Sequence, residues 1–141
     1  MASDSTTTTT TPKPPSPSVT SLAVLKVAFG LGCLLAPRLT STLLLLDPVS
    51  AQAAVVTRLY GGAVASLGYL LWVVGRAHAR GEASTRVLRH VVAVNIAADA
   101  ADVMSCMAGY ATGALRAPVF ALVGGGCAAL EILGMVAYRT V

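Results

Sequence analysis

Four apolar segments dominate the sequence, and each of them is long enough to cross a lipid bilayer. They cover residues 19–36, 53–74, 87–112 and 119–138. A helix needs about 17 to 25 mostly apolar residues to cross the hydrocarbon core. The sequence therefore predicts an all-α fold, a four-transmembrane-helix bundle that occupies residues 19–141.

The composition of the whole chain is typical of a protein whose solvent is lipid. Of its 141 residues, 55% are hydrophobic and 11% are charged, whereas about 25% of the residues of an average soluble domain are charged. The mean hydropathy of +0.74 is spread over several segments, which favours a multi-pass membrane protein over a secreted domain with a signal peptide. We therefore predict the lipid bilayer as a partner.

The net charge of +4 comes mostly from residues at the ends of the apolar segments. This distribution indicates membrane topology and contact with anionic headgroups, because a nucleic-acid interface needs a clustered basic face with aromatic residues between the charges. We predict no nucleic-acid partner. A small apolar ligand and a membrane protein are the two kinds of further partner that the sequence leaves open.

Two shorter stretches lie beside the first apolar segment. Residues 1–18 are rich in Thr, Pro and Ser and have almost no apolar side chains to bury, so we predict a disordered tail. Residues 39–46 are apolar but too few to cross as a helix, and the helix-breaking pair Asp47-Pro48 follows them. We predict that they form a short interfacial or re-entrant segment after the first helix.

The loop of residues 75–89 gives the strongest orientation signal. It carries one acidic residue, Glu82, and four arginines, which are Arg76, Arg80, Arg86 and Arg89. Short loops rich in Lys and Arg stay on the cytoplasmic side of a membrane. With four crossings, this rule predicts that the loop and both termini are cytosolic.

Small residues recur at helix-contact spacing in the first two apolar segments. They are Ala28, Gly32 and Ala36 in the first, and Gly61, Ala65 and Gly68 in the second. Such residues let the backbones of two membrane helices approach closely. In the second segment, Tyr60 and Trp72 stand towards opposite ends, as the aromatic belts at the two membrane interfaces require.

The third apolar segment carries a polar stripe made of Asn95, Asp99 and Asp102. These residues fall at i, i+4 and i+7, so a helix places them on one side. A carboxylate near the middle of a bilayer costs about 2.5 to 3.5 kcal/mol on insertion scales, so the stripe should face other helices or water.

Three further charged residues lie inside the other apolar segments. Glu131 lies near the middle of the fourth, Arg58 about one turn inside the second, and Lys26 about two turns inside the first. We predict that Arg58, Asp99, Asp102 and Glu131 converge on one polar site with Asn95 below it, because pairing with Arg58 would offset the cost of a buried acid. We interpret Lys26 as a residue whose long side chain extends to the nearer interface, from which it reaches Asp99 or Glu131 less easily.

Three functions are compatible with this polar set. The charges could hold the bundle in one arrangement, which describes an accessory or structural membrane protein. Alternatively, Asp99, Asp102 and Glu131 are catalytic candidates of a small cofactor-independent membrane enzyme, with Arg58, Asn95 and Lys26 as binding residues. The third alternative is a pathway for protons or small solutes. No metal or cofactor is predicted, because the only two histidines, His78 and His90, lie outside the membrane centre.

The stretch Arg58-Leu59-Tyr60-Gly61-Gly62, preceded by Leu34-Leu35-Ala36-Pro37-Arg38, resembles small four-span membrane proteins of unknown function from fungi and bacteria. The chain also resembles, more loosely, the DoxX-type four-helix membrane proteins. The resemblance implies the four-helix architecture, and no catalytic assignment carries over. Similar fungal proteins are sometimes encoded beside secondary-metabolite genes, where some of comparable size are oxygenases or cyclases, and this implies the enzyme alternative.

Overall fold

A computed structural model of the protein describes residues 14–46 and 49–141. Within these residues the chain forms five α-helices and no strand. They are α1 (Pro17–Leu35), α2 (Pro37–Leu43), α3 (Ala51–Ala79), α4 (Thr85–Ala111) and α5 (Ala117–Thr140). The predicted tail lies outside the described residues up to residue 13, and α1 begins at Pro17.

Four of the helices are long and apolar enough to span a membrane, so the predicted four-helix architecture is confirmed. They are α1, α3, α4 and α5, with 19, 29, 27 and 24 residues. Their outward faces carry large exposed apolar side chains, among them Leu35, Leu59, Met104 and Ile132. Such surfaces suit a lipid environment.

The short helix α2 occupies the place of the predicted interfacial segment. It begins directly after Ala36, which ends α1 with a φ of −133° and a ψ of 60°. Pro37 is buried, whereas Leu39 and Leu43 are 61% and 68% exposed. The leucines of α2 therefore face away from the bundle. The Asp47-Pro48 pair that was predicted to end this segment lies outside the described residues.

Local sequence signals set where the long helices begin and turn. Ser50 and Ser84 are the N-caps of α3 and α4, and each hydroxyl accepts a hydrogen bond from a backbone N–H in the first turn, at 3.1 and 3.3 Å. These bonds satisfy N–H groups that have no partner within the helix. Gly81 and Gly113 follow α3 and α4 with φ values of 77° and 75°, a conformation that favours glycine.

Helices α1 and α3 form the closest pair in the bundle. A Cβ atom built on Gly30 would lie 2.5 Å from the backbone nitrogen of Ala65, and one on Gly61 would lie 2.6 Å from the carbonyl oxygen of Gly30. A Cβ atom on Gly68 would lie 2.8 Å from the Cβ of Lys26. The small face predicted for the second span is confirmed. On α1 the contact face contains Gly30 instead of the predicted Ala28, Gly32 and Ala36, of which Ala28 is exposed.

Helices α4 and α5 form a second pair, and the two pairs contact each other less extensively. We call the end of the bundle that holds residues 80–84 the loop end, and the opposite end the α2 end. An apolar cluster fills the loop end, with Val19, Leu22, Ala23, Leu71, Leu88, Val92 and Ala137 as its buried members. The charged residues of the spans lie beyond this cluster, towards the α2 end.

Candidate functional site

Lys26 is the largest fully buried side chain among the described residues. It lies nine residues from either end of α1, is 2% exposed, and donates a hydrogen bond from Nζ to Oδ1 of Asp99 at 2.7 Å. Our interpretation that Lys26 extends to the interface is therefore wrong. The stem lies against Gly68, which has no side chain to displace it, and a carboxylate within reach offers the ammonium group a partner inside the bundle.

Asp99 is the acidic half of this buried ion pair. It lies near the middle of α4, is 4% exposed, and accepts the Lys26 bond with Oδ1, whereas its Oδ2 has no hydrogen-bond partner in the part of the chain that the structure describes. Of the predicted residues, the structure therefore brings Lys26 and Asp99 into direct contact, and Asp102 lies one turn further along α4.

Asn95 lies one helical turn before Asp99 and is fully buried. Its Nδ2 donates to the carbonyl oxygen of Val91 on the same helix at 3.0 Å, and its Oδ1 has no partner among residues 14–46 and 49–141. The inward face predicted for Asn95 and Asp99 is the one observed. A buried polar atom without a partner costs about 1 to 3 kcal/mol, so these two residues leave an uncompensated polar surface inside the bundle.

A second polar link lies closer to the α2 end. The Tyr60 hydroxyl donates a hydrogen bond to Oδ2 of Asp102 at 2.7 Å, and the ring of Phe29 meets the Tyr60 ring edge-on at a centroid distance of 6.4 Å. Tyr60 was predicted to lie in an aromatic belt, and its bond to Asp102 was not predicted. The available signal was that a tyrosine hydroxyl within an apolar segment usually requires a partner.

Each of the two links joins the α1/α3 pair to an acid of α4. Lys26 of α1 contacts Asp99, and Tyr60 of α3 contacts Asp102. Glu131 on α5 is partly buried. The polar set thus lies where the two helix pairs meet, and it connects them through α4. We call Lys26, Tyr60, Asp99 and Asp102 the inter-pair polar cluster.

Arg58 lies outside this cluster. It is exposed and lines a cavity beside α2. Residues two apart on a helix point about 200° away from each other. Because α3 turns Tyr60 towards Asp102, it turns Arg58 away from α4.

Metal binding needs several converging ligands. Within residues 14–46 and 49–141, no group of three His, Cys, Asp or Glu side chains is arranged to hold a metal ion. The chemistry available in the inter-pair polar cluster is therefore that of its own lysine, tyrosine and carboxyl groups, which is charge pairing, hydrogen bonding and proton exchange.

No protein-family model, curated protein or solved structure matches this chain. The resemblance to small four-span and DoxX-type proteins stays a prediction. None of the comparisons supports the attachment to secondary metabolism that this resemblance implied.

Proposed function

We propose that this chain is an accessory or structural membrane protein in which the buried polar residues fix the assembly of the two helix pairs. The observation that carries the proposal is the buried Lys26–Asp99 ion pair, with 2.7 Å between its charged atoms. The two charges neutralise each other across α1 and α4.

The ion pair has a physical role because the solvent of these helices is lipid. Lipid is as apolar as the surfaces of the helices, so apolar contact alone discriminates poorly between alternative arrangements of α1/α3 against α4/α5. A misplaced arrangement would separate Lys26 from Asp99 and leave two charges unpaired in hydrocarbon, which costs several kcal/mol. The ion pair therefore favours one arrangement over its competitors.

Two cavities of the described chain lie away from the candidate catalytic acids. One of about 580 Å³ lies beside α2, and another of about 900 Å³ lies at the loop end. Neither is lined by Asp99, Asp102 or Glu131, the three candidate catalytic acids.

Replacement of both charges by apolar side chains tests the proposal. Cells whose sole copy of the gene carries Lys26→Met together with Asp99→Leu should match wild-type cells in growth, lipid profile and metabolite profile. No buried charge is left unpaired in this variant, and the Tyr60–Asp102 bond still joins the two helix pairs. Cells with Lys26→Met alone should contain less of the protein. Loss of a metabolite from cells in which the double variant is folded and normally abundant would contradict the proposal.

A small cofactor-independent membrane enzyme of the cyclase, isomerase or oxygenase-like type is the second candidate. The unpartnered Oδ2 of Asp99 and Oδ1 of Asn95 favour it, because buried polar groups without partners are common where a substrate binds. Asp99→Asn keeps the shape of the side chain and removes its charge. If the protein is an enzyme, a compound should disappear from the membrane extract even when expression of this variant is raised until folded protein reaches the wild-type level, whereas Ser105→Ala on the exposed side of α4 should leave the extract unchanged.

A further inference from the structure

A cavity of about 580 Å³ lies between the start of α2 and the first turns of α3. Its floor and walls are apolar and include Pro37, Leu39, Ala54 and Val55. Two arginines, Arg38 and Arg58, stand on its rim. A volume of several hundred Å³ suits a small ligand or the head region of a lipid.

The position of Arg58 along α3 matches that of a membrane interface. Arg58 and Arg76 are 18 residues apart in α3, which is about 27 Å along the helix axis at 1.5 Å per residue. The hydrocarbon core of a bilayer is about 30 Å thick. Arg76 lies over the ring of Trp72 at 5.5 Å, an arrangement suited to one interface, so Arg58 lies near the other.

The two arginines of the rim differ from most basic residues of the chain in their surroundings. Lys26 is paired with Asp99, Arg80 with Glu82, and Arg89 lies over the ring of Tyr138. Arg38 and Arg58 are exposed and form no ion pair with any residue in 14–46 or 49–141. Two guanidinium groups without an acidic partner among the described residues therefore stand at one cavity.

We propose that this cavity binds an anionic glycerophospholipid, whose phosphate pairs with Arg38 and Arg58. Guanidinium groups present donors in a planar fork that matches phosphate oxygens. The apolar walls continue into lipid-facing surface, since Leu39 and Val55 are 61% and 52% exposed. An acyl chain can therefore extend from the cavity into the bilayer while the headgroup stays at the arginines.

Native mass spectrometry of the purified full-length protein in detergent tests the assignment. The probes are phosphatidylglycerol, phosphatidylcholine with the same acyl chains, and inorganic phosphate. Wild-type protein should bind the first phosphatidylglycerol at least about tenfold more tightly than phosphatidylcholine. Both lipids carry the phosphate, but only phosphatidylcholine also carries a quaternary ammonium, whose positive charge is repelled by the two guanidinium groups. Arg38→Gln with Arg58→Gln should abolish this preference.

The matched control removes two exposed arginines at the loop end, by Arg86→Gln with Arg139→Gln. It should keep the preference, and an equal loss in both double variants would overturn the proposal by showing general charge attraction. Competition by inorganic phosphate at a concentration comparable to that of the lipid would also overturn it, because the site would then hold a free anion. Val55→Trp retains both arginines and fills the cavity. It should weaken phosphatidylglycerol binding, and unchanged binding would contradict the cavity as the site.

Discussion

Lys26 of α1 and Asp99 of α4 form an ion pair near the middle of their helices, with 2.7 Å between Nζ and Oδ1 and side-chain exposures of 2% and 5%. This pair joins two helix pairs that otherwise share limited contact. It lies beside the Tyr60–Asp102 hydrogen bond, which joins the same two units at a position nearer the α2 end. On the proposed role, these four residues favour one relative arrangement of the two helix pairs.

Removal of the Tyr60 hydroxyl should destabilise the bundle. Tyr60→Phe keeps the ring contact with Phe29 and deletes the donor to Asp102, so a partly buried carboxylate loses its partner. The expected cost is about 1 to 3 kcal/mol, measured as a lower midpoint of thermal unfolding in detergent. Tyr69→Phe is the matched control, because Tyr69 lies on the same helix and is 65% exposed. An equal effect of both changes would refute the role of the Tyr60 bond.

Enlargement of Gly61 should separate α1 from α3. In Gly61→Ala the new methyl group would lie 2.6 Å from the Cβ of Cys33 and from the carbonyl oxygen of Gly30, so the backbones must move apart. Overpacking of this kind typically costs about 1 to 3 kcal/mol. The neighbouring Gly62→Ala has open space around it and should be neutral or slightly stabilising, because Ala favours helix. Unfolding of the two variants in detergent checks this contrast, and equal midpoints would contradict the close packing of α1 on α3.

The orientation predicted from the arginines can be measured by cysteine labelling of intact cells. In a background where Cys33, Cys106 and Cys127 are replaced by alanine, a membrane-impermeant maleimide should react with Ala114→Cys and not with Ala83→Cys. The expected pattern follows from the positive-inside rule. After the membrane is permeabilised, both positions should react. Labelling of Ala83→Cys alone in intact cells would reverse the topology.

The four-helix architecture could be predicted from the sequence because the length and hydropathy of each apolar segment can be read from its residues alone. The helix ends were harder to predict. Helix α3 continues to Ala79, whereas the predicted end was residue 74. The helix therefore extends beyond the apolar residues and includes Arg76 and the residues after it. Hydropathy marks where lipid contact ends, whereas hydrogen bonding marks where the helix ends.

The candidate site was predicted in part. Asn95 and Asp99 are four residues apart, so any helix places them on one face. The cost of a carboxylate in lipid predicted that this face points inward. The partner of Asp99 depended on how far α1 and α3 are rotated, and this rotation is set by the contact of Gly30 with Gly61. Small residues occur on several sides of α1, so the sequence did not identify the contact face. For the same reason the sequence favoured Arg58 as the basic partner, whereas the structure pairs Asp99 with Lys26.

A double-mutant cycle on Lys26 and Asp99 tests the central claim most directly, with unfolding measured in the same detergent for wild type, Lys26→Met, Asp99→Leu and the combination. Each single change should cost about 3 to 5 kcal/mol because it leaves one buried charge unpaired. The combination should cost far less than the sum, which gives a coupling of at least about 2 kcal/mol. A parallel cycle on Arg58→Leu and Asp99→Leu should be additive within about 0.5 kcal/mol. Additive effects of the Lys26 and Asp99 changes would contradict the account.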